Sequence, residues 1–254
     1  TISENPNNHP ATGISIPIIT PIFNWISELF KPNFANDFAK ETLLEHSEEV
    51  ANLVFRPNDK FLITTGVSGT INFWDLTQNR KIGTRTFPNL ATKWLTFSRD
   101  SKILVSPLKD GQILFQNLEK NTTETWSTQQ VGVTNCFVYH PENTYFATGH
   151  QDGSIRFWGT EKKEFMWNVG GHSKAVLGLT FSPDGKWLVS AGADFVINLW
   201  QVKDRRTFKI NLVGHNSEVN QVVFNRESRL LASGSIDGKI ILWNIQDEKE
   251  VFSF

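Results

Sequence analysis

The chain has 254 residues, 39% of them hydrophobic, and a formal net charge of −1. That is enough apolar material to bury a large core, and the balanced charge gives no sign of a polyanion-binding surface, so no nucleic-acid partner is expected. No run reaches the roughly 18 apolar residues of a membrane span, and the single cysteine, Cys136, excludes an internal disulfide and favours a reducing compartment, here expected to be the cytoplasm.

Residues 1–44 differ from the rest. The chain opens at Thr1 without Met and without a secretory signal, which reads as a portion of something longer. Asn5-Pro6-Asn7-Asn8 and Pro10 form an irregular lead-in. Thr20 then caps a short helix with Pro21 at its first position. Ile22, Phe23, Trp25, Ile26, Leu29 and Phe30 give it a wide apolar face, closed by Pro32. The helix is expected to pack against the region that follows. Docking on a partner or another domain is the alternative, and the segment lacks the basic face of a membrane-surface helix.

From residue 45 to 254 one pattern occurs five times. His172, Ser190, Asp194 and Trp200 are separated by 18, 4 and 6 residues, and so are His215, Ser233, Asp237 and Trp243. Trp74, Gln116, Trp158, Trp200 and Trp243 form a column at steps of 42, 42, 42 and 43. Phe55, Phe97, Tyr139, Phe181 and Phe224 form a second column, and Ile71, Ile113, Ile155, Ile197 and Ile240 a third. The first copy keeps His46, Thr64 and Trp74 but has Ser68 in the Asp column. Copy two has Pro88, Ser106, Asp110 and Gln116, lacking His and Trp. Copy three has Gln130, Thr148, Asp152 and Trp158, lacking only the His. A repeat of this period means stacked supersecondary units, none able to bury its faces alone.

Within a copy the period is two. Trp187, Val189 and Ala191 alternate with Leu188 and Ser190, between Ser182-Pro183-Asp184-Gly185 and the next turn. Asp152-Gly153 and Asp237-Gly238 are hairpin signals. Each copy reads as three antiparallel strands and a looser fourth, such as 164–168 or 207–212. Runs apolar on both sides, such as Ile240-Ile241-Leu242-Trp243, fit sheets packed on both faces.

Gly214-His215, the Ser-Pro-Asp-Gly turn, Asp237-Gly238 and the closing Trp243 resemble the WD repeats of the β-propeller class. The Trp-Asp pair survives only as Trp74-Asp75; elsewhere it reads Trp158-Gly159, Trp200-Gln201 and Trp243-Asn244. The resemblance implies an all-β propeller of four-stranded antiparallel blades, five of them visible, for which 20 Phe and nine Trp would supply inter-blade packing. It also implies that His, Ser or Thr, Asp and Trp hydrogen-bond within a blade, a structural rather than catalytic use of Ser, His and Asp. No nucleophile-elbow sequence surrounds Ser190 or Ser233. His140 and His150 have no second ligand at zinc spacing, Gly170-Gly171 is too short for a phosphate cradle, and Asn121-Thr122-Thr123 reads as a loop. No metal or cofactor is expected, and Cys136 reads as a small core hydrophobe.

The expected function is a non-catalytic protein-interaction scaffold or sensor that binds a protein partner or another domain of its parent. The alternatives are a permanently buried structural subunit and, remotely, a propeller enzyme. In the family the residue before the turn Asp and the residue three after the His reach one face. Here these are Val67, Lys109, Gln151, Ala193 and Ile236, and Glu49, Ala91, Val133, Ala175 and Glu218. An apolar patch flanked by Glu49, Lys109 and Glu218 is expected. Closure is the awkward point: each copy has its own outer strand, the last at 250–254, and residues 41–44 look like one more. This reads as part of a longer array, with a closed five-bladed ring or divergent blades within 1–40 as alternatives.

Overall fold

The computed structural model describes residues 48–56, 60–78, 80–90, 94–127, 132–203 and 206–254. All belong to one compact unit, His46–Phe254. The helix expected near 21–30 and the outer strand expected at 41–44 lie outside these residues.

The alternating runs fold into five four-stranded antiparallel sheets, the blades of a β-propeller. Blade 1 is β1 (Val50–Phe55), β2 (Phe61–Gly66), β3 (Thr70–Asp75) and β4 (Arg80–Thr86). Blade 2 is β5 (Thr96–Phe97), β6 (Ile103–Pro107), β7 (Gln112–Asn117) and β8 (Thr122–Ser127). Blade 3 is β9 (Thr134–Tyr139), β10 (Tyr145–His150), β11 (Ser154–Gly159) and β12 (Phe165–Gly170). Blade 4 is β13 (Val176–Phe181), β14 (Trp187–Gly192), β15 (Ile197–Lys203) and β16 (Arg206–Leu212). Blade 5 is β17 (Val219–Phe224), β18 (Leu230–Ser235), β19 (Ile240–Asn244) and β20 (Lys249–Ser253). Strand order follows sequence order in every sheet.

The turns repeat as faithfully as the strands. Ser101, Asn143, Gly185 and Ser228 hold φ between 59° and 71° between first and second strands. Asn121, Lys163 and Glu248 hold 54° to 55° between third and fourth. Left-handed residues at fixed offsets set the hairpin geometry and so the strand register. A register shift near the start of the first strand recurs at Val50/Asn52, Val176/Gly178 and Val219/Gln221. Such bulges sharpen the local twist.

Most of the core lies between blades. One cluster joins Ile63 and Ile71 of blade 1 to Phe97, Leu104 and Leu114 of blade 2. The next joins Val105, Ile113 and Phe115 to Phe137 and Phe146 of blade 3, where Phe137 stacks on Phe146 at 4.6 Å between ring centroids. Blades 3 and 4 share Cys136, Phe157, Val176 and Leu188, and blades 4 and 5 share Leu199, Val219, Leu231 and Ile241. Burial of Cys136 pushes its thiol far above the usual range, which suits a packing residue and not a nucleophile.

One indole reaches past its neighbour. Trp94, just before β5, donates its Nε1 hydrogen to the Leu177 carbonyl of β13 at 2.9 Å, tying blade 2 to blade 4. Among the described residues no core cluster joins blade 5 to blade 1. Blade 5 leaves Val223 of its first strand and Val251, Phe252 and Phe254 at its last exposed. In blade 1, β1 is half-buried from Val50 to Val54, where β13 buries Val176, Gly178, Leu179 and Phe181.

Blade 2 combines a two-residue first strand with the loss of the repeat's His and Trp. It should therefore be the softest blade. In native-state hydrogen exchange, amides of β6 and β7 are expected to exchange faster than those of β14 and β15; finding residues 97–118 best protected would contradict this.

Candidate functional site

The tetrads assemble within single blades. In blade 5, Trp243 Nε1 donates to Ser233 Oγ at 2.8 Å, Ser233 Oγ meets His215 Nε2 at 2.7 Å, and His215 Nδ1 meets Asp237 Oδ2 at 3.0 Å. In blade 4 the same three contacts join Trp200, Ser190, His172 and Asp194 at 2.9, 2.8 and 2.8 Å. A carboxylate only accepts, so each His carries its proton on Nδ1 and accepts at Nε2 from the serine hydroxyl. The chain runs Trp to Ser to His to Asp, and each carboxylate also takes an amide, from Ser173 or Asn216, at 2.9 Å. The order of Ser, His and Asp is that of a nucleophilic triad, but Ser190 and Ser233 are 0% and 1% exposed. Their oxygens are already occupied by indole donors, so no substrate carbonyl can approach.

The other blades fill the same space from different chain positions. The position two after the tetrad hydroxyl holds Gly66, Leu108, His150, Gly192 and Ser235. A Cβ on Gly192 would overlap the imidazole of His172. Blade 3 has no loop histidine and plants one on the strand instead. There His150 Nε2 meets Thr148 Oγ1 at 2.8 Å, and Trp158 donates to the same oxygen at 2.8 Å. In blade 1, Trp74 donates to Thr64 Oγ1 at 2.8 Å. Its missing turn carboxylate is supplied by Glu48, which accepts from the Ser68 amide and hydroxyl at 2.8 and 2.7 Å. His46 and Gln130 lie outside the described residues. Blade 2 splits the network: Ser106 donates to the Trp94 carbonyl at 2.6 Å, while Gln116 binds the Thr122 carbonyl and the Thr123 hydroxyl. Sequence columns missed Glu48 and His150, and the signal for His150 was a histidine inside the one copy that lacked only that residue.

The electrostatics follow. Burial alone would raise the Asp237 carboxyl, but hydrogen bonds from the Asn216 and Lys239 amides and from His215 outweigh it and hold it at about 2. Asp194 is lowered in the same way against its burial, by His172 and the Ser173 amide. His150 moves the other way as a base. Burial, then the Arg156 charge, push it from 6.5 to about 4, against the pull of Asp152. Among the described residues no group of three or more His, Cys, Asp or Glu side chains is placed to hold a metal.

The turn face is built by backbone bonds. Val67, Gln151, Ala193 and Ile236 donate their amides to the carbonyls of Glu49, Val133, Ala175 and Glu218 at 2.9–3.1 Å. In blade 2 Lys109 bonds the carbonyl of Asn89 instead, at 2.7 Å; Ala91 lies outside the described residues. Thus the two sets of face residues meet pairwise at one edge of blades 1, 3, 4 and 5. Val67, Val133 and Ile236 are exposed, while Ala175 and Ala193 are buried. Glu49, Lys109 and Gln151 are exposed and Glu218 is half-buried.

One residue of that edge escaped the sequence reading. The turn glycines Gly69, Gly111, Gly153 and Gly238 sit at φ 82° to 89°, and blade 4 has Phe195 in their column at φ 72°. A side chain in this region costs roughly 1–2 kcal/mol, and a bulky one there is an outlier. The break in the glycine column was legible in the sequence. At Gly153 a Cβ would run into the His172 carbonyl.

Comparison with known proteins places these features. A family model described as the first β-propeller of WD repeat-containing protein 75 matches residues 89–212, and the WD domain, G-beta repeat model matches 39–75 and 206–244. The chain belongs to the WD-repeat β-propeller family. It is similar to a striatin homolog of Dictyostelium discoideum, 23% identical over 181 residues, which is 65% of this chain and 22% of that protein. Striatin-4 of Mus musculus is 25% identical over 169 residues, 63% of this chain and 22% of that protein. Pre-mRNA-processing factor 19 of Oryza sativa subsp. japonica is 25% identical over 171 residues, 65% of this chain and 32% of that protein. The matched region thus spans less than a third of each of these relatives.

Replacing His215 or Asp237 by Ala strands buried partners and should cost about 2 kcal/mol of stability, read as a lower urea midpoint with the sheet signal of the native state intact. Two pH windows are expected. Neutral His150 supports the fold fully above its ordinary 6.5, and the support is lost as pH falls toward about 4, a change of about 3 kcal/mol at about 1.4 kcal/mol per pH unit. His150→Gln should flatten the stability profile in that window relative to the parent chain. The carboxylate of Asp237 adds stability that is present above its ordinary 3.8 and is lost as pH falls through that value toward about 2.

Proposed function

We propose that this chain is a non-catalytic protein-interaction module of the scaffold or sensor kind, binding a protein partner or another domain of a longer parent through the turn edges of its blades. The observation that carries the reading is the set of backbone bonds that fixes one edge of every blade while leaving Val67, Val133 and Ile236 exposed at 45%, 43% and 62%. Side chains rooted in a bonded sheet edge lose little freedom on binding, so apolar contact there is not offset by loop ordering. The buried serines of the triad-like networks weigh against catalysis, as does the dispersal of the polar networks over separate blades. Placement in the cytoplasm belongs to the same proposal and rests on the one buried, unpaired cysteine. No helix among the described residues is long and apolar enough to cross a membrane.

The exposed Val223, Phe252 and Phe254 of blade 5 favour a second reading, in which this flank is permanently covered within an assembly. Light scattering over a concentration series separates the two: a transient binder stays monodisperse, and a subunit with an uncovered flank self-associates.

The proposed face is tested by Val67→Asp combined with Ile236→Asp. Affinity capture from cell extract followed by mass spectrometry should lose its specific partner, while the thermal midpoint stays nearly unchanged because both side chains are exposed. A partner retained by the double variant would sink the proposal.

A further inference from the structure

We infer that the turn edge of blade 4 grips a short acidic peptide segment through Lys174 and Phe195, the acid on the lysine and an adjacent apolar side chain on the ring. This rests on the partner-binding reading of the turn edges and names the partner's chemistry.

Phe195 is the anchor. Four of the five blades use glycine in its column, and it alone carries a ring there, at φ 72°. The ring is 39% exposed, so burial does little to offset the backbone strain. Strain kept where a glycine would remove it points to a use for the side chain. Lys174 supplies the second element. Its Nζ lies 5.4 Å from the centre of the Phe195 ring, within the range of a cation–π contact. Among the described residues no carboxylate lies within ion-pair distance of that ammonium.

The acids nearby are already engaged. Asp194, next to Phe195 in sequence, accepts from His172, the Ser173 amide and the Val196 amide. Asp237 of blade 5 accepts from the His215 ring and from the Asn216 and Lys239 amides in the same manner. An uncompensated cation therefore stands beside an open aromatic surface. Val213, one residue past the end of β16, and Ile236 of blade 5 are also exposed, at 74% and 62%. Glu218 on that blade repels a second acid, so the acidic residue of the segment belongs over blade 4. A basic segment would meet Lys174 as a like charge, and an uncharged one would leave it unpaired.

The test pans a phage-displayed library of random 12-residue peptides against the whole 254-residue chain, then measures selected peptides by fluorescence anisotropy. Selected peptides should place Asp or Glu beside Leu, Ile, Met or Phe. Phe195→Gly should weaken them by about tenfold, with a thermal midpoint unchanged or raised by about 2–4 °C, because the glycine relieves the backbone. Lys174→Glu should abolish binding. Absence of selected peptides, selection of basic or uncharged ones, or unchanged affinity in Phe195→Gly would overturn the inference. A captured protein lost by the Val67→Asp, Ile236→Asp variant but kept by Phe195→Gly would leave the general face standing while removing this role for blade 4.

Discussion

A hydroxyl buried in the second strand of each blade organises much of what surrounds it. Such a group is costly in a dry sheet unless it both donates and accepts. Thr64, Thr148, Ser190 and Ser233 each accept from a tryptophan on the third strand. That bond fixes the indole, and Trp158, Trp200 and Trp243 each join the core cluster shared with the preceding blade. In blades 4 and 5 the hydroxyl hydrogen then fixes a histidine, and the histidine fixes the turn through an aspartate. Local polar satisfaction and long-range packing are in this way one problem solved by the same atoms.

The solution is more constant than the sequence. A carboxylate from Glu48, a leucine, a histidine on the strand or a histidine from the loop all occupy corresponding space in different blades. Columns of identical residues made the strands, turns and tetrads of blades 4 and 5 legible. They could not show His150 standing in for a loop histidine, because that substitution moves the ring to another column while keeping it near the same hydroxyl. Nor could they show Trp94 reaching Leu177, since a contact that skips a blade leaves no periodic trace. The backbone pairing of Val67, Gln151, Ala193 and Ile236 with Glu49, Val133, Ala175 and Glu218 follows the repeat columns, because each pair closes the hydrogen-bonded end of a strand. Their exposure does not, because Ala175 and Ala193 are small enough to be covered while Val67 and Ile236 are not.

The buried interfaces and the exposed turn residues draw on different parts of the blade. The interfaces bury Ile, Leu and aromatic side chains from the strand centres, whereas Val67, Val133, Phe195 and Ile236 at the turn edges are exposed. A substitution at Ile236 or Phe195 therefore changes what the surface offers with small effect on the core beneath it. That separation lets each blade vary at its turn without a matching change next door.

The unbroken order of strands within every described sheet also bears on how the chain is made. Each blade is a meander whose hydrogen-bonded pairs lie close in sequence, so its loops close at low entropic cost. No described sheet waits for a strand from a distant part of the chain. During synthesis a blade can form as soon as its fourth strand leaves the ribosome, and then template the packing of its successor. The moment of greatest exposure is the interval between one blade and the next, when an apolar flank faces solvent, and nascent-chain chaperones would be needed most in those pauses.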